Sequence, residues 1–405
     1  MLSTENAVVV KSSVTSSLKA ASDVEAFKIE SITNVQLQQI VNLDQGDPTM
    51  FEAFWKKVGE DLKTTIYGWQ SLSYFANGKS CCWFMEPKLE QEIKILHNLV
   101  GNAVVEDRHV VVGNGSSQLI QAALYALAEP LNLPNPVSVV SATPFYSCYP
   151  QITDLVRSGL FKWEGNAYEY EKEGAYIELV TSPNNPDGEM RGPVVNRAKG
   201  MVIHDLAYYW PQYTPITSPA DDDIMLFTVS KCTGHAGSRI GWALVKDEAV
   251  AKKMVKFIEI NTIGVSKEAQ LRAATILEMI SHGTSSDINN FFQYSHSVMA
   301  QRWTKLRDAL SLNNNHLLHV PRFPLHYCNF NRDFVQAHPA YAWLKCPPGI
   351  NLEKILNEEK VRTRGGASFG CGPEYARVSM LGRGEDFDLF MMRLPKILEL
   401  LASSN

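Results

Sequence analysis

Two cations, Lys231 and Arg239, stand among small residues in Thr228-Val229-Ser230-Lys231-Cys232-Thr233-Gly234-His235-Ala236-Gly237-Ser238-Arg239-Ile240-Gly241. The apolar run Ile224-Met225-Leu226-Phe227 before them reads as a buried strand. A lysine closing such a strand lies where open α/β sheets bind ligands, and a primary amine there can form an imine or act as a base. Taken alone, the stretch equally fits a surface loop carrying two charges.

Other segments offer chemistry of their own. Gly113-Asn114-Gly115-Ser116-Ser117-Gln118 follows an apolar run and opens a helical pattern. Its backbone N–H groups and hydroxyls suit an anion such as a phosphate, or make an ordinary serine cap. Thr181-Ser182-Pro183-Asn184-Asn185-Pro186-Asp187-Gly188 has turn composition, and Asn185 could set an amide beside a ligand ring. In His204-Asp205-Leu206-Ala207-Tyr208 an acid closes a buried apolar run, which is costly unless the acid is paired. Asp205 is then a helix cap or the partner of a protonated ring nitrogen. His204 points to the opposite face of the strand, where it packs or hydrogen-bonds. In Pro144-Phe145-Tyr146, Phe145 reads as core, and Tyr146 as core or as a ring to stack on a ligand. Arg377, alternating with apolar neighbours in Tyr375-Ala376-Arg377-Val378-Ser379-Met380, points inward and needs a carboxylate, from a salt bridge or from a ligand.

The elements that must position these residues form a repeating pattern. Six short apolar runs read as buried strands: His109–Val112, Val137–Ala142, Tyr176–Thr181, Met201–Asp205, Ile224–Val229 and Trp242–Val245. Helical patterns separate several of them, clearest over Ser116–Leu127. Strands alternating with helices imply an α/β fold with a mainly parallel sheet flanked by helices. From Ser286 the texture changes. Ile288, Phe292, Met299, Trp303, Leu306 and Leu310 fall near helical spacing, and Phe387–Leu401 reads as a closing amphipathic helix. The expected organisation is a flexible N-terminal arm over 1–35, a large domain over 36–289 and a smaller C-terminal α+β domain over 290–405.

Length and composition narrow the class. The 405 residues carry 45% hydrophobic and 20% charged side chains, as a globular protein does. A net charge of −5 argues against nucleic acid as a partner. The seven cysteines form no C-x-x-C pair, so neither a disulfide framework nor a metal site is expected. No run is long enough for a membrane helix, and Ala7–Val10 is too short for a signal-peptide core. A cytoplasmic protein is expected.

Together the segments match the assembly of pyridoxal phosphate enzymes: an imine-forming lysine, a carboxylate for the pyridinium and donors for the phosphate. The chain resembles the fold-type I aminotransferases, and within them the plant alliinase-like group. It is most similar to the tryptophan aminotransferase subgroup that feeds auxin synthesis through indole-3-pyruvate. The resemblance runs from Val41-Asn42-Leu43-Asp44-Gln45-Gly46-Asp47-Pro48-Thr49 to Arg377-Val378-Ser379-Met380-Leu381. Its most specific stretches are Ala142–Ser147, Leu179–Gly188, Ala207–Pro211 and Ser230–Asp247.

The resemblance implies roles residue by residue. Lys231 would bind pyridoxal 5'-phosphate as an imine and move the proton between substrate Cα and the cofactor. Asp205 would pair with the ring nitrogen. Tyr208 and Asn185 would hydrogen-bond the ring oxygen, and Tyr146 would stack on the ring. Arg239 would hold the phosphate, with Ser116, Ser117 and Gln118 at the helix start and Ser230 beside the lysine. Arg377 would grip the substrate α-carboxylate, Gly46 would approach the substrate, and Tyr74 would reach the phosphate of the neighbouring subunit in a homodimer. The implied reaction is amino transfer from L-tryptophan, or a related amino acid such as phenylalanine or methionine, to a 2-oxo acid such as pyruvate. Alliinases would instead imply a C–S lyase with the same lysine. Three stretches depart from the family pattern. They are Cys232, directly after the lysine, Gly365-Gly366-Ala367-Ser368-Phe369-Gly370, near the substrate, and the N-terminal arm, which carries no motif.

Overall fold

Seven strands build the main sheet: β1 (His109–Gly113), β2 (Val137–Ser141), β3 (Phe161–Asn166), β4 (Tyr176–Thr181), β5 (Gly200–Asp205), β6 (Ile224–Thr228) and β7 (Gly241–Val245). The computed structural model describes residues 39–76, 80–131, 133–282, 291–312 and 317–404. Of these, 42–404 belong to one compact unit, and 39–41 to a separate unit spanning 1–41. The expected arm over 1–35 lies outside the described residues.

Strands β2, β4, β6 and β7 are buried at every position, so their apolar runs show no alternation because both faces are covered. The sheet order is β1-β7-β6-β5-β4-β2-β3. Strand β7 runs antiparallel to both neighbours, and the remaining pairings are parallel. Strands β1 to β6 therefore share one direction, and their C-terminal ends line one edge of the sheet. The start of the reversed strand β7 falls at that same edge. Gly241 pairs with Gly113 on one side and Thr228 on the other, and Thr181 pairs with Asp205. Segments far apart in sequence thus meet along one line, as ligand sites of open α/β sheets do.

Helices cover the sheet. Ser116–Ala128 buries Leu119, Ile120, Ala122, Ala123 and Leu124, and packs against Glu248–Thr262. Pro87–Val100 packs against Lys267–His282. A buried aromatic cluster of Trp210, Phe227 and Trp242 surrounds His97. Trp242 Nε1 donates to His97 Nε2 at 2.9 Å. The other ring nitrogen must then carry the proton, and it donates to Asn102 Oδ1 at 2.8 Å. Burial pushes this imidazole down to about 4, so it stays neutral. Asn102 in turn donates to the Tyr209 carbonyl at 2.7 Å, which anchors the loop after β5.

A second, antiparallel sheet comprises β8 (Tyr341–Lys345), β9 (Arg364–Gly365) and β10 (Tyr375–Ser379), with β10 in the middle. Helix Phe291–Leu312 holds its ends. Arg302 donates to the carbonyls of Met380 and Gly382 at 2.6 and 2.8 Å, and Trp303 Nε1 donates to the Pro339 carbonyl at 2.9 Å. Helix Gly384–Ser403 closes the chain, longer than the expected 387–401. The expected strand over 224–229 stops at Thr228, because Val229 already opens a short helix. Ile288 of the expected long helix lies outside the described residues. Among the described residues, no helix is long and apolar enough to cross a membrane.

Candidate active site

Strand β6 runs straight into a four-residue helix, Val229–Cys232, that carries Lys231. Thr228 caps it by accepting from the Ser230 N–H at 3.1 Å. Ser230 is itself buried, with its hydroxyl oxygen 3.0 Å from that of Thr228. Gln212 Nε2 donates to the carbonyls of Lys231 and Cys232 at 3.3 and 2.9 Å, and the Tyr213 hydroxyl donates to the Lys231 carbonyl at 3.1 Å. The lysine backbone is pinned, and only its side chain reaches into the site. There Nζ donates to the Gly46 carbonyl and lies 5.7 Å over the Tyr208 ring. Burial pushes the amine below its ordinary value; the Tyr341 phenol opposes this and the Arg377 cation reinforces it. The departure at Cys232 is a fully buried thiol turned into the core.

Asp205 ends β5 and is 5% exposed. Its carboxylate accepts from the Tyr149 hydroxyl and the Ala207 N–H, each at 3.2 Å, and makes no ion pair among the described residues. The Tyr149 hydroxyl also lies 2.6 Å from Thr181 Oγ1, its neighbour across the strand ends. Burial raises the Asp205 carboxyl to about 6, against the two hydrogen bonds and Lys231. A buried carboxylate held by neutral donors gains most from a cationic partner. A protonated pyridine nitrogen is such a group, and the donor set suits it. On the other face of the strand, His204 turns to Asp222 at 3.4 Å, and burial lowers its imidazole.

The start of helix Ser116–Ala128 fits a phosphate. Its N-cap is Gly115, so no side chain caps the first turn. Ser116 is half-buried and Ser117 exposed at that end. The Arg239 guanidinium stands where a Cβ on Gly115 would be, and Gly115 has φ +77°, so only glycine serves there. Unsatisfied helix N–H groups beside a guanidinium form an anion site. Gln118 faces elsewhere. Its Oε1 accepts from Asn114 N at 2.8 Å, and its Nε2 donates to Asn261 Oδ1 at 3.0 Å.

Across from the lysine, two groups converge from the second sheet, Arg377 and Tyr341. Arg377 on β10 is 2% exposed and donates to Asn185 Oδ1 at 2.9 Å and to the Asp44 carbonyl at 2.5 Å. Its Nε, also buried, has no partner among the described residues. The guanidinium lies 4.1 Å from the centroid of the Tyr341 ring. The Tyr341 and Tyr208 hydroxyls are 2.7 Å apart. Burial alone would raise the Tyr341 phenol, but Arg377 and Lys231 outweigh it and hold the group below its ordinary value. A Cβ on Gly46 would overlap the Tyr341 hydroxyl and stand 3.1 Å from Lys231 Nζ, so a bare glycine lets both groups approach the backbone here.

Tyr146 and Tyr149 meet edge-on at 5.3 Å, and burial raises the Tyr146 phenol. Asn184 Nδ2 donates to the Pro144 carbonyl at 2.9 Å and so ties the Tyr146 loop to the loop after β4. Tyr74 lies 71% exposed in a stretch whose Tyr67, Trp69, Leu72 and Phe75 are exposed as well.

A frame of α/β layers with a lysine-bearing helix after β6 defines a class. It is the fold-type I aminotransferase fold, whose enzymes work with pyridoxal phosphate. An aminotransferase from Staphylococcus aureus superposes over 92% of this chain and 99% of its own, with a TM-score of 0.62 at 18% identity. The chain belongs to the alliinase family, whose model, described as "Allinase", matches residues 41–398. It is 53% identical over 359 residues to "Tryptophan aminotransferase-related protein 2" of Arabidopsis thaliana, covering 88% of this chain and 81% of the relative. It is 37% identical over 371 residues to "Alliin lyase" of Allium cepa var. aggregatum, covering 87% and 80%.

Proposed function

We propose that this chain transfers the amino group of an aromatic L-amino acid, tryptophan foremost, to a 2-oxo acid such as pyruvate, with indole-3-pyruvate as the product from tryptophan. The observation that carries this reading is the buried guanidinium of Arg377, its Nε without a partner among the described residues, near enough to act on the Lys231 amine. An amino donor and an oxo-acid acceptor share an α-carboxylate and little else. One fork that binds that group can serve both half-reactions.

The residues divide the work. Bound here, pyridoxal phosphate supplies an aldehyde for the amino group and a ring that accepts electrons from Cα. Ser116, Ser117, the backbone of Gln118 and Arg239 hold its phosphate, with Ser230 beside them. Tyr146 stacks on the ring. Asp205 would pair with the ring nitrogen and hold a proton there, which would relieve the cost of its own burial. Asn185 gives its oxygen to Arg377, which leaves its amide N–H to donate to the ring oxygen beside Tyr208. Lys231, its amine favoured in the neutral form by burial, takes the proton from substrate Cα. Gly46 leaves room for the substrate. The exposed row from Tyr67 to Phe75 packs on a second copy of the chain, and Tyr74 reaches that copy's phosphate, in a cytoplasmic homodimer.

A C–S lyase reading is supported by the 37% identity to alliin lyase. A panel of donors against pyruvate and 2-oxoglutarate separates the two. Transfer from tryptophan to pyruvate at rates above those for S-alkyl cysteine sulfoxide cleavage supports the aminotransferase. The reverse order would reject it.

A further inference from the structure

Two guanidiniums lie side by side at the substrate end of the site. Arg364 on β9 is register partner to Arg377 on β10. Their surroundings differ. Arg377 is buried and keeps a donor without a partner among the described residues, whereas the Nε–NH2 face of Arg364 is taken by a carboxylate. Arg364 Nε and NH2 donate to the two oxygens of Asp44 at 2.7 and 3.0 Å, and NH1 donates to Ser147 Oγ at 2.8 Å. Asp44 Oδ1 lies 3.7 Å from Arg377 as well. The pair is half-buried, so it lies outside the core. Asp44 precedes Gly46, whose carbonyl takes the Lys231 amine, and Ser147 follows Tyr146. This ion pair therefore sits between the carboxylate clamp and the loop over the ring.

We infer that Asp44 determines substrate class at this site by occupying the Arg364 fork, so that substrates with one carboxylate are accepted and those with two are disfavoured. The inference rests on the reading of Arg377 as the α-carboxylate clamp. A planar guanidinium whose Nε–NH2 face is filled can no longer offer that two-point face to a second carboxylate. A dicarboxylate would have to displace Asp44, leaving that charge unpaired, or lie beside it. Like charges placed together cost enough to discriminate between partners. Amino acids with uncharged side chains and monocarboxylic oxo acids meet no such charge. Arg364 thus holds latent affinity for a second carboxylate, masked by its neighbour.

The test uses the holoenzyme and two unreactive acids, butyrate and glutarate, with binding read from the absorbance of the bound cofactor. The proteins are wild type, Asp44→Asn, Arg364→Gln and the double variant. In Asp44→Asn, glutarate affinity relative to butyrate should rise at least about tenfold, since a repulsive charge has gone and a fork is freed. The gain should vanish in the double variant, and Arg364→Gln alone should bind glutarate no better than wild type. The ratio of kcat/KM for 2-oxoglutarate over pyruvate should follow the same order. Equal shifts for both acids, or a gain that persists without Arg364, would overturn the inference. So would failure of either acid to bind, because Arg377 would then be no carboxylate clamp. Discrimination between the acids in a protein that transfers no amino group would leave this inference standing and reject the aminotransferase reading.

Discussion

Replacing Asp205 with asparagine should stabilise the cofactor-free protein and weaken the cofactor-bound one. Burial raises this carboxyl from 3.8 to about 6, so its ionised form is disfavoured in the folded chain by about 3 kcal/mol, at roughly 1.4 kcal/mol per unit. The sign follows from proton binding. Between 3.8 and about 6 the folded state holds more protons than the unfolded state, so stability falls as pH rises through that window. The full penalty is present above it. Asparagine keeps the shape and an acceptor for the Ala207 N–H, and the Tyr149 hydroxyl, released from the carboxylate, can turn its proton to Thr181. Urea unfolding of the cofactor-free proteins at neutral pH should therefore show the Asn variant more stable, by about 1–3 kcal/mol. That advantage should fade at about pH 4, where the wild-type carboxyl is protonated. With cofactor bound the order should reverse, because only the carboxylate gains an ion pair with the ring nitrogen. A cofactor-free Asn variant no more stable than wild type, or unchanged turnover, would reduce Asp205 to a structural acceptor.

Other expectations are narrower. Arg377→Lys should lower kcat/KM for the amino donor and the oxo acid together, and Arg377→Ala should lower it further, on the order of 2–5 kcal/mol, with cofactor absorbance unchanged; a loss confined to one substrate would refute a shared clamp. Tyr341→Phe keeps the ring under Arg377 but removes the hydroxyl 2.7 Å from that of Tyr208, so the pH at which the bound cofactor changes absorbance should move. A titration superimposable on wild type would deny Tyr341 any influence on the site. Borohydride reduction of the holoenzyme should label Lys231 on peptide mapping, and Lys231→Ala should fold but not turn over; a label on Lys246 would displace Lys231 from its role.

What the sequence disclosed and what it hid have physical causes. The interior strands were legible because burial on both faces leaves short runs dominated by apolar side chains, as in Ile224–Phe227. Strand β3 went unread because it is an edge strand, where only Phe161 is buried and Lys162, Glu164 and Asn166 read as loop. The reversal of β7 left no trace, since a short apolar run looks alike in either direction. Lys231 and Asp205 stood out because a charge closing an apolar run breaks local pattern. Tyr341 breaks no pattern. In Tyr341-Ala342-Trp343-Leu344 an aromatic is ordinary core, and only the meeting with Tyr208 and Arg377 gives its hydroxyl a place in the site. Asp44, Arg364, Tyr149 and Gln212 were likewise passed over, because each acts through a partner distant in the chain. A buried glutamine or tyrosine carries no local signal of the carbonyl it will hold.

The central claim is amino transfer through one carboxylate clamp, and a single-turnover experiment without acceptor tests it most directly. Mixed with L-tryptophan alone, the holoenzyme should release about one indole-3-pyruvate per site and stop, retaining the amino group. Added pyruvate should then leave as alanine and restore the starting absorbance. Continuous release of pyruvate and ammonia from an S-alkyl cysteine sulfoxide, with no burst of oxo acid from tryptophan, would contradict it.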